Sequence, residues 1–200
     1  GTSEQHLDFL LPLQTAMAAK QTAMETAAAN LEFDLATSEM DILEELVSQC
    51  EAEIDARKKD FEDAMAANEE GVTEVSDCPY PSFSGAGAAL QAMITGAEDE
   101  ASTGDYVAAF NTALAIAEEI VKFRTGIAAH EGNLCAQITK DMAPVKAKIS
   151  DLSSVVSGTL TALKKLIGEI DKKVADREDL ENALASVPEA HRLLGELEKV

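Results

Sequence analysis

Residues 13–67 read LQTAMAAKQTAMETAAANLEFDLATSEMDILEELVSQCEAEIDARKKDFEDAMAA, and how this stretch is read decides the fold. Leu13, Met17, Met24, Ala28, Leu31, Leu35, Ile42, Leu46, Cys50, Ile54, Phe61 and Met65 recur at steps of three, four or seven, which places them on one stripe of an α-helix. No proline or glycine interrupts the run. At the α-helical rise it would be roughly 80 Å long, far longer than a compact domain of this size is wide. The spacing therefore predicts a rod built around one long first helix.

Working outward, Leu7, Phe9, Leu10 and Leu11 form a short apolar patch closed by Pro12, which suits the first turn of the long helix or a brief helix before it. The long helix is expected to end near Asn68, with Gly71 as its left-handed terminator. Asp77-Cys78-Pro79-Tyr80-Pro81-Ser82-Phe83-Ser84-Gly85 then reads as an ordered loop, and Tyr80, Pro81 and Phe83 are the candidate exposed interaction residues there. A short helix over 86–101 completes a head spanning about residues 69–104. Thr103 or Asp105 is available to cap a third helix that carries Val107, Phe110, Leu114, Val121, Leu134 and Ile138 and ends near Asp141. Pro144 predicts a boundary, after which Val145, Ile149, Leu152, Val156, Leu163, Ile167, Ile170 and Val174 mark a fourth helix that Pro188 stops. The expected fold is all-α: one domain over 1–200, an elongated antiparallel bundle of three long helices with a small loop-and-short-helix head.

Composition agrees with helix and narrows the function. The chain holds 34 Ala and 23 Glu, no Trp and only 4% aromatic residues, so its core must be aliphatic. The net charge of −21 repels nucleic-acid phosphates and anionic lipid, which excludes nucleic acid as an expected partner. Residues 1–75 carry 18 acidic and 4 basic groups, whereas residues 144–200 carry 10 and 9. That asymmetry predicts that the fourth helix, with Lys146, Lys148, Lys164, Lys165, Lys172 and Lys173, lies beside the acidic first.

No motif carries chemistry. Cys50, Cys78 and Cys135 form no C-x-x-C pair, so zinc and thioredoxin-like sites have no support. His6, His130 and His191 lack the preceding Glu of a di-iron bundle and any recognisable triad spacing. Gly85-Ala86-Gly87 lacks the lysine of a phosphate loop, and Phe110 stands where an EF-hand needs a bidentate Glu. No enzyme, cofactor or metal site is expected. The twenty uncharged residues 78–97 are the one functional oddity: a partner surface, a membrane-inserting element or a cover for the bundle end.

The stretches TAMAAKQTAMETAAA (15–29), EELVSQCEAEIDARKKDFED (44–63) and DCPYPSFSGAGAAL (77–90), in an acidic Trp-free helical chain, resemble the glutamic acid and alanine-rich proteins of the trypanosome surface. That family is similar in architecture to the N-terminal domains of variant surface glycoproteins. The resemblance implies a non-enzymatic coat protein on the outer face of the plasma membrane, a surface antigen held by a C-terminal glycolipid (GPI) anchor beyond Val200. It carries over no catalytic residue, and it leaves a host or vector ligand and self-association open. Two other readings compete: a ligand-binding surface receptor of the same shape, and a helical pore-forming toxin that inserts residues 78–97. An apolar patch or pocket along a helix or at the head would favour the receptor, with Tyr80, Phe83 and Tyr106 as the aromatics whose exposure is to be mapped.

Overall fold

The structure, a computed structural model, describes residues 5–151 and 158–199. It is all-α, and no strand occurs among the described residues. A 3-10 helix at Gln5–Leu10 precedes α1 (Leu11–Ala29) and α2 (Phe33–Ser76). A 3-10 turn at Pro81–Phe83 leads to α3 (Ser84–Ser102), followed by α4 (Tyr106–Asp151), α5 (Gly158–Asp176) and α6 (Leu180–Leu197). Among the described residues six α-helices thus stand where three long ones are expected. The chain divides into two compact units, Gly1–Asp77 with Phe83–Ile120, and Cys78–Ser82 with Val121–Val200.

In the first unit the expected single helix over 13–67 is two. The amides of Leu31 and Glu32 return to the carbonyls of Ala28 and Ala27, at 3.1 and 2.9 Å, and Leu31 takes φ 63°. This is a Schellman ending with leucine in the left-handed position that glycine or asparagine usually fills. The α1 helix then runs back along α2. Met17 Sδ lies 3.8 Å from Cys50 Sγ, Lys20 pairs with Glu39 at 2.9 Å, and Arg57 sits 5.7 Å above the Phe9 ring. The physical reason is that one stripe on an isolated helix leaves its apolar side in water, whereas folding it back buries the two halves against each other. Leu31 is 72% exposed and gives up little packing, so Leu31→Gly should remove about 1 kcal/mol of left-handed strain and raise the melting temperature. An unchanged or lower melting temperature would show that Leu31 carries no such strain.

Gly71, expected to end the helix, lies inside α2 and is buried. A Cβ there would meet Ile120 at 2.7 Å, so the missing side chain lets α4 approach α2 closely. One turn away, buried Asn68 donates from Nδ2 to the Ala113 carbonyl of α4 at 2.8 Å. Gly104, at φ 84°, makes the turn into α4, and Asp105 caps that helix by accepting the Ala108 amide at 3.0 Å.

In the second unit α5 packs on α6 across the turn 177–179, where Arg177 and Asp179 take φ 53° and 50°. Its core holds Leu160, Leu163 and Ile170 of α5, Leu180, Val187 and Leu194 of α6, and Ile138, Met142 and Val145 of α4. The α4 helix continues through Pro144, and α6 through Pro188, against the boundaries expected at both. A proline inside a helix costs about 3 kcal/mol, and burying one Met or Val side chain returns about 1.5–3. Buried Met142 and Val145 flank Pro144, and buried Val187 and Ala190 flank Pro188, so packing offsets the lost hydrogen bonds. The lysines expected to face the first helix find carboxylates within the second unit: Lys146 meets Asp171, Lys148 Glu198, Lys165 Glu169 and Lys173 Asp179, while Lys164 and Lys172 are exposed. Leu152 and Val156, expected on a continuous fourth helix, lie outside the described residues.

Candidate functional site

Of the three candidate head residues, only Pro81 is exposed; Phe83 is half-buried and Tyr80 is 6% exposed. Within the second unit, Tyr80 donates its hydroxyl proton to Glu131 Oε1 at 3.1 Å and stands edge-on to the His130 ring, centroids 5.0 Å apart. Arg177 lies 3.8 Å from the other oxygen of Glu131, and Glu181 lies 3.6 Å from His130 Nε2. Burial, with the Glu131 carboxylate second, pushes the Tyr80 phenol up to about 12. A phenol so reluctant to ionise, and already donating, is a poor acid or base near neutrality. The cluster works instead as a clasp that fixes the 78–82 loop on α4.

The clasp makes stability depend on pH at the alkaline end. Between pH 10 and about 12 the unfolded chain has released the Tyr80 proton while the folded chain keeps it, so stabilisation present below pH 10 disappears as pH rises through 12. The loss attributable to Tyr80 should be about 2 kcal/mol. Chemical denaturation at stepped pH should show this fall in the parent and a shallower one in Tyr80→Phe; parallel curves would refute the assignment.

The interval 78–97 is built into the fold. Leu90 and Ala97 of α3 are buried, as is Tyr80, and among the described residues no helix is long and apolar enough to cross a membrane. Between α2 and α3 lies a groove of about 490 Å³, lined by apolar Met65, Val72 and Ile94 and by polar Asn68, Glu69, Thr73 and Glu98. Cys50, Cys78 and Cys135 are free thiols, and no cluster of three metal-ligating side chains occurs among the described residues.

One exposed apolar surface, on α2, is not marked by the stripe read from the sequence. Phe33, Met40 and Val47 of α2 are 66%, 45% and 41% exposed, and they follow one another at seven-residue steps. Ala36, Leu43 and Cys50, half-buried, fall between them at the alternate heptad positions, and half-buried Ile54 continues the series. Together they form an a/d seam, of which α1 covers the side marked by Cys50 and Glu39. The signal was legible: a second apolar stripe, a fraction of a turn from the first, widens the apolar arc of α2 beyond what one neighbouring helix can cover. Beside the open half stand Glu44 and Glu51, both exposed. Between Phe33 and Ala56 the helix carries eight carboxylates and no cation. Leu31 and Leu35, 72% and 49% exposed, extend the apolar surface around the turn.

No described protein family matches this sequence, and no curated protein or solved structure is significantly similar to it.

Proposed function

We propose that this protein is a non-enzymatic helical binding module that acts at a cell surface through the open flank of its N-terminal hairpin. One observation carries the reading: a heptad-spaced apolar seam stands in solvent on α2, in a chain whose net charge of −21 otherwise favours a fully solvated exterior. An exposed apolar patch of this kind favours a receptor over an inert coat. Replacing Met40 by a photoreactive benzoylphenylalanine, with the same residue at exposed Asp55 as control, tests it on intact cells. Partner adducts should concentrate at position 40. Equal labelling at both positions would refute the binding role.

A second reading follows the family resemblance: a glycolipid-anchored coat protein forming a dense layer on a parasite. Charge repulsion between copies supports it, as do α2 and α4, which at 44 and 46 residues are about 66 and 69 Å long. The turn at Asn30–Glu32 removes the unbroken first helix from that picture, so an elongated antiparallel bundle would have to be built around α2 and α4. Release of the protein from living cells by phosphatidylinositol-specific phospholipase C would support the coat form, and retention would count against it.

A further inference from the structure

Resting on the binding role, we infer that the open seam of α2 takes a basic amphipathic helix from another protein. Phe33, Met40 and Val47 point from one narrow arc of α2, because seven residues return an α-helix to within about 20° of the same direction. The occupant must therefore repeat apolar residues at the same interval to stay in register over three heptads. Its charge follows from the rim. Glu44 and Glu51 occupy the position one past each intervening d residue, where coiled-coil partners place their pairing charges, and both are exposed.

A second copy of this chain presenting the same seam is a poor occupant. Pairing two α2 seams in either direction sets carboxylates against carboxylates, since neither α2 offers a cation between Phe33 and Ala56. Like charges facing one another across a seam reject the homotypic pair, whereas lysine or arginine at the partner's matching positions turns the same rim into a selector. Lipid is also a poor fit, because anionic headgroups meet the same carboxylates. The left-handed Leu31 closes α1 at the end of the seam where Phe33 begins, so a docking helix can run past the turn without meeting continued backbone.

The test uses the full chain and a four-heptad synthetic helix with Leu and Ile at its a and d positions and Lys at its e and g positions. A second peptide with Glu in place of each Lys serves as comparison. By fluorescence anisotropy the basic peptide should bind, its affinity should fall several-fold from low to high salt, and the acidic peptide should not bind. Met40→Asp/Val47→Asp should weaken binding roughly tenfold or more. Both side chains are solvent-exposed, so circular dichroism should report an unchanged fold. Glu44→Lys/Glu51→Lys should shift preference toward the acidic peptide.

Three results would overturn the inference: no binding of the basic peptide, equal binding to the Met40→Asp/Val47→Asp chain, or a chain dimer in sedimentation that Val47→Asp dissociates. Adducts at position 40 on cells without binding of the basic peptide would reject this partner class and leave the binding role standing. Absence of both would reject the two together.

Discussion

Gly71→Val should destabilise the first unit by about 3 kcal/mol, the upper end of what overpacking a well-filled core costs. The added Cβ would stand 2.7 Å from Cγ2 and 2.8 Å from Cδ1 of Ile120, where carbon atoms need about 3.5–4 Å. Ile120 is only 4% exposed and β-branched, so it has little room to turn away. Gly71→Ala meets the same first contact but gains about 1 kcal/mol of helix propensity, so its net loss should be smaller. The sign that close approach, and not glycine's flexibility, is at issue would be rescue. Ile120→Ala is harmful alone, yet combined with Gly71→Val it should recover about 0.5–3 kcal/mol relative to the sum of the single changes. Urea titrations of the four proteins decide it, and strict additivity would reject the contact.

In the second unit, Leu163→Ala should cost about 2–5 kcal/mol. Leu163 is fully buried on α5 among the side chains that hold this unit together, and shortening it leaves a hole that neighbouring helices can only partly close. Lys164, the next residue, is exposed, so Lys164→Ala should change stability by less than about 0.5 kcal/mol. The pair is informative because the two changes are adjacent in sequence while one side chain is buried and the other exposed. Equal melting curves for the two variants would mean that α5 does not bury the face assigned to it.

Much of the fold was legible. Alanine and glutamate dominate the chain, and their preference for helix is a local property expressed wherever the backbone is not otherwise constrained. The short helix after the proline loop starts and ends within two residues of its expected bounds, and the Asp105 cap lies where the break-and-restart at Ser102–Asp105 predicts. Signals of this kind work over a few residues. The places where expectation failed share one cause, which is competition between a local rule and a distant contact. Pro144 and Pro188 stay inside helices because the residues beside them are buried, and Gly71 stays inside α2 because Ile120, far along the chain, fills the space above it. At Asn30–Glu32 the failure runs the other way: no breaker marks the turn, and a leucine adopts the left-handed backbone so that α1 can lie on α2.

The candidate site was less legible for the same reason. Tyr80 sits in an uncharged, proline-rich loop, and a sequence offers no way to tell an exposed tyrosine there from one that reaches Glu131, fifty-one residues on. Phe33, Met40 and Val47 were visible as apolar residues at heptad spacing, but their exposure depends on which side of α2 the returning α1 covers.

The amino-acid order alone determined that this chain is helical, aliphatic inside and strongly acidic outside, because propensity and charge belong to each residue wherever it lies. Only the tertiary structure decided where the helices stop, which proline is tolerated, and which of two apolar stripes on α2 is left in water. Those outcomes turn on a few kcal/mol gained or lost in contacts between residues tens of positions apart, and no local window of sequence contains that difference.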